Sequence, residues 1–137
     1  MTLSQAIEEL RRRNEPLSTP RQLPNAADVA AMESLLQTQF HPDYKRLLLE
    51  ASDVDVGPFE PATITRPTSH TYLPKVVASA RHYGVPDELF PFCEDNADFY
   101  CITKEGHVVF WSHNGWDPSA WPSLASWVQD VWLADYG

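Results

Sequence analysis

The hydrophobic period of this chain changes close to residue 88, and that change restricts the fold more than any single residue does. Upstream, apolar residues recur three and four apart; downstream they gather in short runs rich in Phe, Tyr, Val, Ile and Trp. Ala6, Ile7 and Leu10 form one stripe, which predicts a helix over residues 4–13 with Ser4 as its cap. Pro16, Pro20 and Pro24 then mark an extended connector. Asn25 is placed to cap a second helix running to about residue 38, with Val29, Met32, Leu35 and Leu36 as its apolar stripe. Pro42 and Asp43 suit the first turn of a third helix, which turns Tyr44, Leu47 and Leu48 inward after a tight corner at Phe40. Residues 59–66 alternate like a strand, but Pro58, Pro61 and Pro67 confine it to an edge. A fourth helix is expected over residues 73–83, with Val76, Val77, Ala80 and Tyr83 on its apolar side and Gly84 as its C-cap.

Residues 89–94, 98–103 and 108–112 read as three strands separated by hairpin-grade turns at residues 95–97 and 104–107, so an antiparallel meander is expected. A closing helix capped by Ser123 carries Leu124, Trp127, Val128, Val131 and Trp132. The predicted class is α+β, an antiparallel-rich mixed sheet with helices packed around it. At 137 residues, one domain is expected over 1–137, with an N-terminal helix and Pro-rich connector over 1–24 and a core of about 26–135. No apolar run reaches the roughly 18–20 residues of a membrane span. The first residues carry Glu8, Glu9 and Arg11 to Arg13 without an apolar signal region, which predicts a cytoplasmic protein.

In such a compartment the two cysteines, Cys93 and Cys101, stay reduced. A hairpin centred on Asn96 and Ala97 places Cys93 opposite Tyr100 and Cys101 opposite Phe92, so the thiols do not face each other and are expected free and buried. A metal site would have to use Cys93, Cys101, His107 and His113, which lack the close pair of thiolates that a zinc knuckle needs; no metal and no cofactor is expected. There is no nucleophile elbow and no Gly-rich phosphate loop. Cys101 with His113 can be written as a dyad, but nothing in the sequence orders the pair. Glu94, Asp95 and Asp98 cluster on one turn, unlike the contrasted carboxylates of a glycosidase. His41, His70 and His82 fall at helix ends or in a loop, as capping and surface residues do. No catalytic residue is predicted.

Charge carries more information. The formal net charge is −9, and it is unevenly spread. Residues 1–81 hold ten acids and nine bases, whereas residues 82–137 hold nine acids and one base, Lys104. So acidic a half repels phosphate backbones, which argues against nucleic-acid binding, and favours capture of a basic protein. Trp127 and Trp132 are expected in the core. Trp116, beside Gly115 and Asp117, is a candidate exposed anchor.

Three blocks of the sequence resemble the SUKH superfamily, the Smi/Knr-type domains. Phe40-His41-Pro42-Asp43-Tyr44-Lys45-Arg46-Leu47-Leu48-Leu49 is similar to its Leu-Pro, two-residue, Tyr, apolar-helix signature, with His41 where Leu is usual. Residues 89–102 resemble its hairpin, in which an apolar-Pro-Phe-small-acidic strand is followed, across a turn, by aromatic-Tyr-Cys. Residues 106–113 resemble the next strand, which ends in a histidine, here His113.

The resemblance implies a non-enzymatic α+β domain. Many bacterial members are immunity proteins that neutralise toxins, often nucleases or deaminases; some eukaryotic members are regulatory scaffolds. Combined with the charge, it leads to an immunity protein that binds a basic toxin through Glu94, Asp95, Asp98, Trp116 and Asp117. A scaffold binding another protein is the alternative, and an enzyme with an unrecognised site is a further one.

Overall fold

The computed structural model describes residues 1–115 and 119–134. Helix α1 spans Leu3–Arg13 and buries Leu3, Ala6, Ile7 and Leu10. Its cap is Thr2 rather than Ser4: Thr2 Oγ1 accepts from Gln5 N–H over 3.1 Å, and Thr2 N–H donates to Gln5 Oε1 over 2.8 Å. This reciprocal box satisfies two orphan donors at once, which Ser4, already inside the helix, has no geometry to do. Helix α2, Ala26–Leu36, is capped as expected by Asn25, which forms the same kind of box with Asp28. It ends earlier than predicted, because Gln37 adopts a left-handed conformation. Its buried stripe is also narrower than the sequence implies: Val29 and Met32 are covered, but Leu35 is 63% exposed.

Phe40 turns the chain into α3, Pro42–Ala51, and lies buried edge-to-face on Tyr44 at 5.4 Å. Glu33 ties the corner by accepting from Phe40 N–H over 2.8 Å. Tyr44, Leu47 and Leu48 point inward as read from the sequence. The loop after α3 is clamped from both ends of the chain. Arg11 forks onto Asp53 at 2.7 and 3.2 Å, and Trp132 Nε1–H donates to Val56 O over 2.9 Å.

The strand expected at residues 59–66 does not form. The prolines leave one isolated parallel pairing, Thr63 with Tyr72, and a bond from Ala62 N–H to Phe92 O of 2.8 Å. The segment thus lies along an edge of the sheet without joining its ladder. Helix α4 spans Leu73–Tyr83 and ends at Gly84, whose φ of 108° is left-handed. Val76 and Ala80 are buried, but Tyr83, expected inside, is 44% exposed.

Strands β1 (Phe90–Asp95), β2 (Asp98–Ile102), β3 (Val108–Trp111) and β4 (Ala120–Trp121) form a sheet in that order, antiparallel throughout. β4 is only two residues long, too short to leave a periodic signal. The β1–β2 turn is centred on Asn96 and Ala97, both at positive φ, 52° and 68°. Cys93 pairs with Tyr100 as predicted. Cys101 pairs with Pro91, not Phe92, because a bulge shifts the register between Pro91 and Cys93. Both thiols are free and buried.

Adjacent β2 residues face opposite ways: Tyr100 packs on Trp127 at 5.3 Å, and Phe99 on Tyr83 of α4 at 6.3 Å. The closing helix, α5, is Leu124–Trp127, capped by Ser123, and runs on in π geometry over Val128–Trp132. Leu133 N–H donates to Val128 O across five residues at 2.8 Å. That wider turn lets Trp127 and Trp132, five apart, share one buried face, with ring centroids 6.0 Å apart.

Candidate functional site

The tip of the β1–β2 hairpin gathers acids by construction. A two-residue turn aligns its flanking residues, so Asp95 stands opposite Asp98, a like-charge pairing that costs stability. His113 relieves it. His113 Nδ1 is 2.7 Å from Asp98 Oδ1 and 3.1 Å from Ala97 O, and its backbone N–H donates to Asp98 Oδ1 over 3.1 Å. The ring also packs on Tyr83 at 5.7 Å. Asp98 is therefore committed to the turn, whereas Glu94 and Asp95 carry no ion pair among the described residues.

Those two acids do not stand alone. Glu94 and Asp95 line a groove of about 620 Å³ together with Glu60, from the proline-broken segment that runs beside β1. Pro58, Phe59 and Val76 supply its apolar surface. His70 Nε2 rests 2.8 Å from Glu60 Oε2. Beneath them the Cys93 thiol is pushed up in pKa by burial first, and further by the carboxylates of Asp95, Glu60 and Glu94.

The N-terminal half is arranged differently. Arg11 pairs with Asp53, Arg12 and Arg13 with Glu9, Lys45 with Glu33, and Arg46 with Glu50. Hydrogen bonds from Arg12 and Arg13 hold the Glu9 carboxyl down to about 2. Positive and negative charge cancel pairwise at these sites on α1, α3 and the loop after it, whereas Arg21, Arg66 and Lys75 make no ion pair among the described residues. A second cleft, about 760 Å³, opens between the Phe40 corner and the end of α4, but it mixes Arg81 and Lys104 with Asp87 and Glu88 and so selects neither sign.

The thiols are poorly suited to nucleophilic chemistry. Burial pushes Cys101 up to about 12. Its Sγ lies 3.8 Å from Phe99 O, while His113 is held by Asp98 and Ala97, so Cys101 and His113 are not hydrogen-bonded to one another. Among the described residues no group of three or more His, Cys, Asp or Glu stands close enough to hold a metal ion. No helix among them is long and apolar enough to cross a membrane.

Of the residues singled out from the sequence, Glu94 and Asp95 come together on the groove and Asp98 turns toward His113. Trp116 and Asp117 lie outside the described residues. Glu60, Phe59 and His70 were not anticipated: Glu60 belongs to the charge-balanced half, and only the fold carries it to the hairpin.

A family model described as SMI1-KNR4 cell-wall, SUKH_5, matches residues 3–133. A search of curated proteins returned no match. The fold is similar to a crystal structure of a protein from Pseudomonas syringae pv. tomato, with 42% identity, a TM-score of 0.91, and coverage of 96% of this chain and 98% of that one. The four-stranded meander, the Pro42–Tyr44 helix start and the match across nearly the whole length agree, and the chain belongs to the SMI1-KNR4 family.

Proposed function

We propose that this protein acts by binding, as an immunity domain that neutralises a basic toxin of nuclease or deaminase type. The observation that carries the reading is the charge asymmetry: the bases of α1 and α3, Arg11, Arg12, Arg13, Lys45 and Arg46, are held in ion pairs, while Glu94 and Asp95 carry none among the described residues and line one groove with Glu60. An enzyme that handles nucleic acid presents a positive groove. A carboxylate-bearing hairpin complements it, steers encounter, and suppresses acidic competitors. Trp116 and Asp117 complete the proposed surface as an aromatic anchor with its own acid. Asp98 contributes by holding the turn. The position of the chain in its family is consistent with a domain of this kind.

The experiment is protection. Cells expressing the product of the neighbouring gene as the candidate toxin are expected to grow when this protein is co-expressed. A variant carrying Glu94→Lys and Asp95→Lys is expected to lose protection, together with most of its salt-dependent association rate. Full protection by the reversed variant refutes the acidic surface. Stable capture of a non-toxin protein without any protection supports a regulatory scaffold instead.

A further inference from the structure

We infer that the groove between Glu60 and the hairpin tip receives an arginine side chain presented by the partner. This rests on the proposed binding role and names the group that is bound. The groove has two kinds of surface in the arrangement an arginine needs. Pro58, Phe59 and Val76 offer apolar area for the three-methylene stem. Glu60, Glu94 and Asp95, which line the groove together, offer acceptor oxygens for the planar fork of donors. Among the described residues no Lys or Arg lines the groove, and His70, 2.8 Å from Glu60 Oε2, is the basic side chain that does. Phe59 is partly buried, with its ring edge-to-face on Tyr100 at 5.9 Å, which holds the ring in place at the groove wall.

Arginine fits better than lysine. Its guanidinium is more weakly hydrated, stacks on an aromatic face, and spans two carboxylates bidentately, whereas an ammonium is a compact, strongly hydrated point charge. The larger cleft beside Arg81 and Lys104 has no such bias.

The test uses the full chain, uniformly labelled with nitrogen-15, and three capped tripeptides: Gly-Arg-Gly, Gly-Lys-Gly and Gly-citrulline-Gly. Citrulline keeps the shape of arginine without its charge. The arginine peptide is expected to shift the amides of Phe59, Glu60, His70, Val76 and residues 94–96 saturably. The lysine peptide is expected to bind several-fold more weakly and citrulline about tenfold more weakly or worse. Glu60→Gln, which alters a surface side chain only, is expected to weaken the arginine peptide about threefold to tenfold. Phe59→Ala is expected to act likewise, with thermal melts checking that it folds.

No saturable shift, shifts centred on Arg81 and Asp87, or equal binding of citrulline each overturns the inference. Two failures are separable. If reversal at Glu94 and Asp95 abolishes toxin binding but Glu60→Gln and Phe59→Ala leave it intact, the arginine groove is wrong and the acidic surface stands. If the arginine peptide binds as described but the reversed variant still neutralises the toxin, the groove stands and the partner reading falls.

Discussion

Asp98 Oδ1 lies 2.7 Å from His113 Nδ1, so an acid at the head of β2 is tied to the residue two beyond the end of β3. The contact pins the hairpin tip against the end of the neighbouring strand and offsets the repulsion between Asp98 and Asp95. The three acids of one turn therefore have different tasks. Asp98→Ala is expected to destabilise the protein by about 1 kcal/mol, a modest figure because the pair is partly solvent-screened. Asp95→Asn is expected to stabilise it by a few tenths of a kcal/mol. Urea unfolding of the two variants decides; equal midpoints refute the division of roles.

Ala97 occupies a turn position at φ 68° that disfavours any residue with a Cβ. Ala97→Gly removes that steric cost of about 1–2 kcal/mol but raises the entropy of the unfolded chain, opposing it by about 0.4–1 kcal/mol. The expected result is a net gain of about 0.5–1 kcal/mol. A lower urea midpoint for the glycine variant would show that the turn is not strained.

Gly106 is required for two separate reasons. Its φ is +92°, and a Cβ there would stand 2.6 Å from His41 Nε2. His41 is itself held in place, because its Nδ1 accepts from Asp43 N–H at the start of α3. Gly106→Ala is expected to cost about 2–3 kcal/mol. Adding His41→Ala is expected to recover about 1 kcal/mol of coupling, since it removes the clash but not the backbone strain. Strict additivity in the double-mutant cycle would mean that the histidine gives way freely.

The cysteines are expected to be silent until the protein unfolds. Burial raises both thiols, Cys101 to about 12, above the ordinary thiol value of 9.0. Because the folded pKa exceeds the unfolded one, the thiol contribution to stability is whole below about pH 9 and is lost as pH rises through about 12. Ellman's reagent at pH 8 is expected to find no reactive thiol in the native protein and two in guanidinium. Rapid native reaction at either position would contradict the burial.

Tyr44 Oη is buried without a hydrogen-bond partner among the described residues. Burial pushes its ionisation well above the ordinary range, so the hydroxyl stays neutral. Removing a polar group that has no partner relieves a desolvation cost, so Tyr44→Phe is expected to leave stability unchanged or to raise it by up to about 1–2 kcal/mol. A clear loss would indicate a partner for the hydroxyl in solution, such as an ordered water.

Local signals were enough wherever local physics governed. The helix starts at Asn25, Pro42 and Ser123, the left-handed stop at Gly84 and the hairpin centred on Asn96 and Ala97 are all readable along the chain, because caps and turns are satisfied within a few residues. The first helix begins one residue before the expected start, because the Thr2–Gln5 box caps it ahead of Ser4. The exposure of Leu35 and Tyr83 was hidden, since an apolar stripe says what can be buried and not whether a neighbour arrives to bury it. The bulge before Cys93 was hidden for a similar reason: a slip of one residue depends on how the whole sheet packs.

The acidic bias of the second half belongs to the sequence alone. Its distribution was decided by the tertiary structure, which set Asp98 on His113 and brought Glu60 from 34 positions away into the same groove as Glu94. Net charge is a sum over residues and can be counted along a chain. A binding groove depends on distances between segments, and those exist only once the chain has closed on itself.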